Sequence, residues 1–326
     1  MSTGHPKPEL LVADIGGTHA RFAFARAGSH RLLREHELIT AEYSDLAGAI
    51  ESYLDYAGLG RPRKAAIAIA NPITSDAVKM TNSRWAFSIK ATQKALGLDR
   101  LLVINDFVAL AYSVPALRRS HFRKIGGGKP VAHRPLALIG PGTGLGVAAL
   151  VPHRDAWLAV DSEGGHVNAP ASDAREAKLI AALQEEIGHV SAERLISGPG
   201  LENIYRVLAQ FGGKSPKTLI AQEISTQGQS GTNRVARDAL DCFCAMLGTL
   251  AGDVALTFGA RGGLYLGGGI LPHLGHFLDR SSFRARFEAK GRMQALVASI
   301  PTYVIEAPHA AMVGDLIALA QADRRR

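Results

Sequence analysis

The chain has 326 residues, 47% of them hydrophobic and 20% charged, with Lys and Arg outnumbering Asp and Glu 37 to 29 for a formal net charge of +8. That length holds two domains of ordinary size, each with enough apolar residues for a core. The basic excess is scattered, part of it in Arg324-Arg325-Arg326, with no aromatic-rich stripe and no DNA-binding spacing, which argues against nucleic acid as a partner.

Two cysteines, Cys242 and Cys244, supply neither a disulfide framework nor a zinc cluster and read as small buried hydrophobes. No apolar run approaches the roughly 18 residues of a membrane helix, and Asp14 arrives before a signal-peptide core forms, so a cytoplasmic protein without membrane attachment is expected.

In chain order, strands are predicted at 10–15, 20–26 and 31–39 as a meander, then a helix from Ser44 to Gly58. A buried strand at 65–70, a helix between Ser88 and Gly97, a strand at 101–104 and a helix at 107–114 complete the first unit. Residues 120–134, rich in Gly, Lys, Arg and His, read as a connection. A second strand, turn and strand follows. Helices near 173–187, 200–210 and 233–258 come next, then a strand at 263–267 and a closing helix at 310–322.

Both halves open with a glycine-rich turn between short apolar runs. The first is Asp14-Ile-Gly-Gly-Thr-His-Ala-Arg21, the second Gly140-Pro-Gly-Thr-Gly-Leu-Gly146. Glycines let backbone N–H groups approach an anion and threonine adds a hydroxyl, so the pair could grip a polyphosphate. Each alone also reads as an ordinary hairpin. Neither is a Walker loop, and the near miss at Gly213-Lys214-Ser215 has Leu208 where that pattern needs glycine. Asn105-Asp106 follows an apolar strand and precedes a helix, so Asp106 reads either as a general base at a strand's carboxyl end or as a helix cap. Glu163-Gly164-Gly165-His166 reads either as two ligand-facing groups or as a plain turn.

Together with Ser191-Ala192-Glu193-Arg194, Ser197-Gly198-Pro199-Gly200, Gly267-Gly268-Gly269-Ile270, Met80-Thr81-Asn82 and Trp85-Ala86-Phe87-Ser88, these segments resemble the bacterial ATP-dependent glucokinase family nearly end to end. That family belongs to the actin, hexokinase and sugar-kinase superfamily. The resemblance implies an α/β, two-domain actin/hexokinase-like (ribonuclease H-like) fold, with duplicated β-meander plus α/β units and an interdomain cleft. A small domain would span 1–115, completed by 307–326, and a large one 116–306.

The implied activity is transfer of the γ-phosphoryl group of Mg·ATP to the 6-hydroxyl of glucose. A kinase for another hexose or N-acetylhexosamine, or a sugar-sensing regulator, stands as the alternative. Asp106 would be the base, with Asn105, Glu163, His166 and Glu193 on the sugar. Asp14, Gly16, Gly17, Thr18, Gly142, Thr143, Gly144, Gly267, Gly268 and Gly269 would bind ATP, and Asp14 would hold Mg²⁺ directly or through water. The resemblance also implies a homodimer. Pro141, Asn168 and the third glycine of 267–269 depart from the usual pattern, and none touches the proposed base. Trp85, beside the polar loop 71–83, is expected at the mouth of the sugar site.

Overall fold

The computed structural model describes residues 10–213 and 218–324. Lys214 and Ser215 of the Walker near miss, and Arg325 and Arg326 of the basic end, lie outside them. The described chain separates into two compact units, one running to Arg118 and resuming at Ala307, the other spanning Arg119–Glu306.

The first unit opens with β1 (Leu10–Ile15), β2 (His19–Ala25) and β3 (Leu33–Ile39), an antiparallel meander. Helix α1 (Leu46–Ala57) is capped by the Asp45 carboxylate accepting from the Gly48 N–H and ends at Gly58, whose φ of 62° is the left-handed stop a glycine supplies cheaply. Then come β4 (Lys64–Ile69), a small hairpin of β5 (Ala77–Lys79) and β6 (Ala86–Ser88), α2 (Ile89–Ala95), β7 (Arg100–Asn105) and α3 (Asp106–Ser113). The sheet order is β3-β2-β1-β4-β7, with β4 and β7 parallel to β1. Alternate residues of β1 divide its two faces. Leu11, Ala13 and Ile15 pack with α1, whereas Val12 packs with Ala23, Ala25 and with Met312 and Leu316 of the closing helix.

The second unit contains β8 (Phe122–Gly126), then β9 (Leu136–Pro141), β10 (Leu145–His153) and β11 (Ala156–Ser162) as another meander. Helices α4 (Ala174–Ile187), α5 (Gly198–Phe211), α6 (Ala221–Ser230) and α7 (Arg234–Phe258) precede β12 (Gly263–Leu266). Four short helices, α8 to α11 (Leu271–Leu274, Phe277–Arg280, Phe283–Glu288, Gln294–Ser299), lead to β13 (Thr302–Ile305). The order β11-β10-β9-β12-β13 repeats that of the first sheet, with β8 added antiparallel at the edge beside β13. This is the duplicated meander plus parallel-strand plan of the actin and hexokinase fold. The chain then returns to the first unit as the closing helix, α12 (Ala310–Arg324).

Three expectations need correction. The stretch read as a connection holds β8, whose partner β13 lies some 180 residues on in the chain, beyond the reach of local pattern. Helix α7 is, among the described residues, the one helix long and apolar enough by length and composition to cross a membrane. Its middle, Cys242 to Gly252, is buried on every side because it is the core of the second unit, where Phe243, Met246, Leu247 and Leu250 pack. Trp85, expected at a binding mouth, is 1% exposed and belongs to the first unit's core, its indole N–H donating to the Tyr43 carbonyl at 2.9 Å. Cys242 and Cys244 are both buried, and burial pushes each thiol up to about 12, which leaves them inert packing groups.

Candidate active site

In the first unit, β4 lies between β1 and β7 and sets their ends in one row, pairing Ile15 with Ile69 and Ile69 with Asn105. Two strand spacings put the turn after β1 and the start of α3 about 10 Å apart at the carboxyl edge of the sheet. The turn itself is tied down. Gly16 N–H donates to the His19 carbonyl at 2.8 Å, Thr40 Oγ1 to the Gly16 carbonyl at 3.2 Å, and Thr40 N–H to the Thr18 carbonyl at 2.9 Å. A β-carbon at Gly17 would fall 2.6 Å from the Asn82 carbonyl oxygen. Close approach, and not an unusual φ, is what glycine supplies here. Thr40 is a residue that sequence reasoning missed, because its bonds reach back across the chain to Gly16 and Thr18, and Asn82 stands in a family segment that assigns it no role.

Asp14 lies on the closing-helix face of β1. Burial raises its carboxyl above the usual carboxylate range, while the Arg21 guanidinium at 4.0 Å and His309 draw it back down. On the closing helix, Asp315 is fully buried, and neither carboxylate oxygen has a hydrogen bond of normal geometry. Burial, reinforced by the charge of Asp14, holds it well above its ordinary value, with only partial relief from the Ala68 backbone. Sequence gave no signal for this acid. It sits within the apolar stretch Ala310 to Ala320 of the closing helix. Among the described residues no three His, Cys, Asp or Glu side chains form a metal cage. Mg²⁺ asks for less, one or two carboxylates completed by phosphate oxygens and water, and the half-buried Asp14 beside a glycine turn fits that mode.

Both readings of the Asn105-Asp106 step bear on α3, and the cap falls to the first residue. Asn105 Oδ1 accepts from the Phe107 N–H at 2.8 Å and from the Val108 N–H at 3.2 Å. Asp106 occupies the first turn, where Oδ1 also accepts from the Phe107 N–H at 2.9 Å. Its carboxylate is therefore not what starts the helix.

In the second unit three predicted residues converge. His166 Nε2 lies 3.8 Å from Glu163 Oε2, and His166 Nδ1 lies 4.0 Å from Glu193 Oε1, with exposures of 57%, 55% and 29% for His166, Glu163 and Glu193. Partial burial raises the Glu163 carboxyl, His166 lowers it, and the negative charges of Asp161 and Glu193 raise it further. Two short ladder bonds hold the segments together, Ala169 N–H to the Val190 carbonyl at 3.0 Å and Ala192 N–H to the Val167 carbonyl at 2.8 Å. Asn168 Oδ1 is bonded to His189 Nε2 at 2.8 Å in the same join.

The second glycine turn is closed by Gly142 N–H donating to the Gly144 carbonyl at 2.8 Å. Beside it stands the 267–269 run. Gly267 N–H donates to the Ile139 carbonyl at 3.1 Å, and a β-carbon at Gly268, whose φ is 99°, would fall 2.5 Å from the Pro141 carbonyl oxygen. Of the three glycine segments predicted for nucleotide, the two in the second unit are thus neighbours.

Twin sheets built on one plan, each with a glycine turn after the first strand of its meander, define a protein of the actin, hexokinase and sugar-kinase class. A family model described as glucokinase matches residues 11–322. The glucokinase of Aromatoleum aromaticum is 49% identical over 313 residues, covering 96% of this chain and 95% of its own. That of Chromobacterium violaceum is 48% identical over 317 residues, covering 96% and 90%. A crystal structure of glucokinase from an Antarctic psychrotroph superposes with a TM-score of 0.86 at 36% identity, covering 96% of this chain and 98% of that one. The chain belongs to the glucokinase family.

Proposed function

We propose that the protein transfers the γ-phosphoryl group of ATP to the 6-hydroxyl of glucose, giving glucose 6-phosphate and ADP. Near-complete coverage by glucokinases at almost 50% identity supports the reaction. The observation that carries the sugar half is the gathering of Glu163 and Glu193 around His166. Carboxylates accept from sugar hydroxyls and a neutral imidazole can both donate and accept, so the three together fix a polyhydroxy ring by direction as well as by contact.

Asp106 takes the 6-hydroxyl proton, the oxygen attacks the γ-phosphorus, and the bond to the β-phosphate oxygen breaks in line as ADP leaves. Asn105 spends its carbonyl oxygen on the helix cap, which leaves its amide N–H groups for the sugar. Backbone N–H groups and the threonine hydroxyls of turns 16–18 and 142–144 receive the phosphates, and the run 267–269 receives the adenosine. Asp14 would hold Mg²⁺, directly or through water, and the ion would supply charge neutralisation to the phosphates.

The reading extends to a cytoplasmic homodimer, the state that the family resemblance implies, and light scattering of the purified protein tests the dimer. Release of ADP measured across a panel of hexoses, hexosamines and phosphoryl donors tests the activity. Glucose with ATP should give the highest kcat/KM, and a preference of tenfold or more for another pair would overturn it.

A further inference from the structure

Leu145, the first residue after the second glycine turn, stands between the two halves of the second unit's chemistry. Its N–H donates to Glu193 Oε2 at 2.9 Å. Its carbonyl oxygen lies so close to the 164–166 turn that a β-carbon at Gly165 would come within 2.0 Å of it. Gly144 is just as confined, because a β-carbon there would fall 2.5 Å from the same Glu193 Oε2. A second tie runs beside the first. Gly198 N–H donates to the Gly142 carbonyl at 2.9 Å, and Ser197 Oγ donates to the Glu193 carbonyl at 2.7 Å while accepting from the Gly200 N–H to cap α5.

The carboxylate of Glu193 is therefore divided. Oε2 is committed to the backbone of the glycine turn, and Oε1 faces His166. Beside this bond, residues 142–144 are held by Gly142 N–H donating to the Gly144 carbonyl and by Gly198 N–H donating to the Gly142 carbonyl, and a glycine-rich turn loses much conformational freedom when it is ordered. An ionised acceptor is a strong anchor for such a turn. We infer that Glu193 is a positioning residue for the nucleotide turn as well as a sugar contact, so that a sugar held by Oε1 steadies Oε2, stiffens residues 142–145 and tightens nucleotide binding. This rests on the proposed reading of Glu193 as a sugar ligand and of the turn as a phosphate clamp. Coupling between two sites is reciprocal, so nucleotide tightens sugar by the same factor. Less ordering remains for the second ligand to meet.

The test is calorimetric titration of the full chain with ADP and Mg²⁺, with and without saturating glucose, in the wild type, Glu193→Ala, Glu193→Gln, Gly144→Ala and Glu163→Ala. Glucose should lower the wild-type Kd for ADP by about 5- to 20-fold, within the usual range for coupled sites. Glu193→Ala should weaken ADP about tenfold without sugar and abolish the glucose effect. Glu193→Gln, whose amide oxygen still accepts from Leu145, should restore ADP affinity while glucose stays weak. Gly144→Ala, which keeps the carboxylate but forces it off the turn, should behave toward ADP as Glu193→Ala does. Glu163→Ala should weaken glucose yet keep the full coupling once sugar saturates. Unchanged ADP affinity in Glu193→Ala, or equal loss of coupling in Glu163→Ala at saturation, overturns the inference while leaving the activity standing. Failure of the wild type to bind glucose at all would instead overturn the proposed function.

Discussion

Asp106→Asn separates chemistry from architecture because Asn105 starts helix α3. In the variant the Asn105 cap on the Phe107 and Val108 N–H groups is untouched, and the new amide oxygen can keep the contact to Phe107. The negative charge lost from the first helical turn contributes about 0.3–1 kcal/mol at a helix N-terminus. For a chain of this size that lowers Tm by no more than about 3 °C. The proposed catalytic loss is much larger. Removing a general base costs about 100- to 10,000-fold in turnover, equivalent to about 2.7–5.5 kcal/mol in activation free energy. Coupled detection of ADP gives kcat, calorimetry gives glucose affinity, and a thermal melt gives Tm. The expected pattern is a collapse in kcat with glucose Kd and Tm nearly unchanged. Retention of more than about a tenth of normal turnover would remove Asp106 from the mechanism, given how much larger the loss of a base should be. The companion Asn105→Ala should show the reverse balance in stability, losing about 0.5–2 kcal/mol with the cap.

Gly17→Ala drives a β-carbon into the Asn82 carbonyl, so the KM for ATP should rise at least about tenfold while glucose binding measured alone is retained, and an unaltered KM would detach turn 16–18 from the nucleotide. Glu163 titrates above the ordinary carboxylate range, so its acceptor form is lost as pH falls through that raised value. Glucose KM should climb in that acidic window, and Glu163→Gln should flatten the climb while raising KM throughout. A wild-type profile identical in shape to the variant's would exclude Glu163 as the titrating group. Asp315, with its folded-state value raised, favours folding below its unfolded value of about 3.9 and costs stability as pH rises from there toward the folded value. Chemical denaturation should therefore show Asp315→Asn gaining on the wild type by up to about 1.4 kcal/mol per pH unit above pH 4, and a difference independent of pH would refute the assignment.

Much of the fold was legible because β1–β2 and β9–β10 join apolar strands through glycine turns, and because Ser88 and Gly58 mark helix ends with their own chemistry, although the start read at Ser44 falls to the Asp45 cap. The pairing of β8 with β13 was not, since neither strand carries a pattern that names a partner so distant. Helix α6 escaped notice for a different reason. Its sequence, Ala221 to Ser230, is polar and glycine-containing, and it is held by packing against its neighbours. In the candidate site, the spacing of Glu163 and His166 left a ligand pair and a plain turn both open, and the family resemblance added Glu193; the fold does bring the three together. The bond from Leu145 to Glu193, the Thr40 anchor and the buried Asp315 depend on contacts between residues dozens of positions apart, where periodicity is silent.

The closing helix reverses the order in which this protein can finish folding on the ribosome. Its Met312 and Leu316 cover Val12, Ala23 and Ala25, Gly314 presses against the Ala109 carbonyl of α3, and Asp323 pairs with Lys64 and Arg100 at the starts of β4 and β7. None of that cover exists until residues 310–324 have been translated. The second unit, encoded in between, emerges whole while one face of the first sheet stays bare. At about 5–20 residues per second the delay is about 10–40 s, long enough for a holdase chaperone to engage the apolar strands of a nascent chain. A ribosome that stalls after Glu306 would thus release a finished second half joined to an unroofed first one.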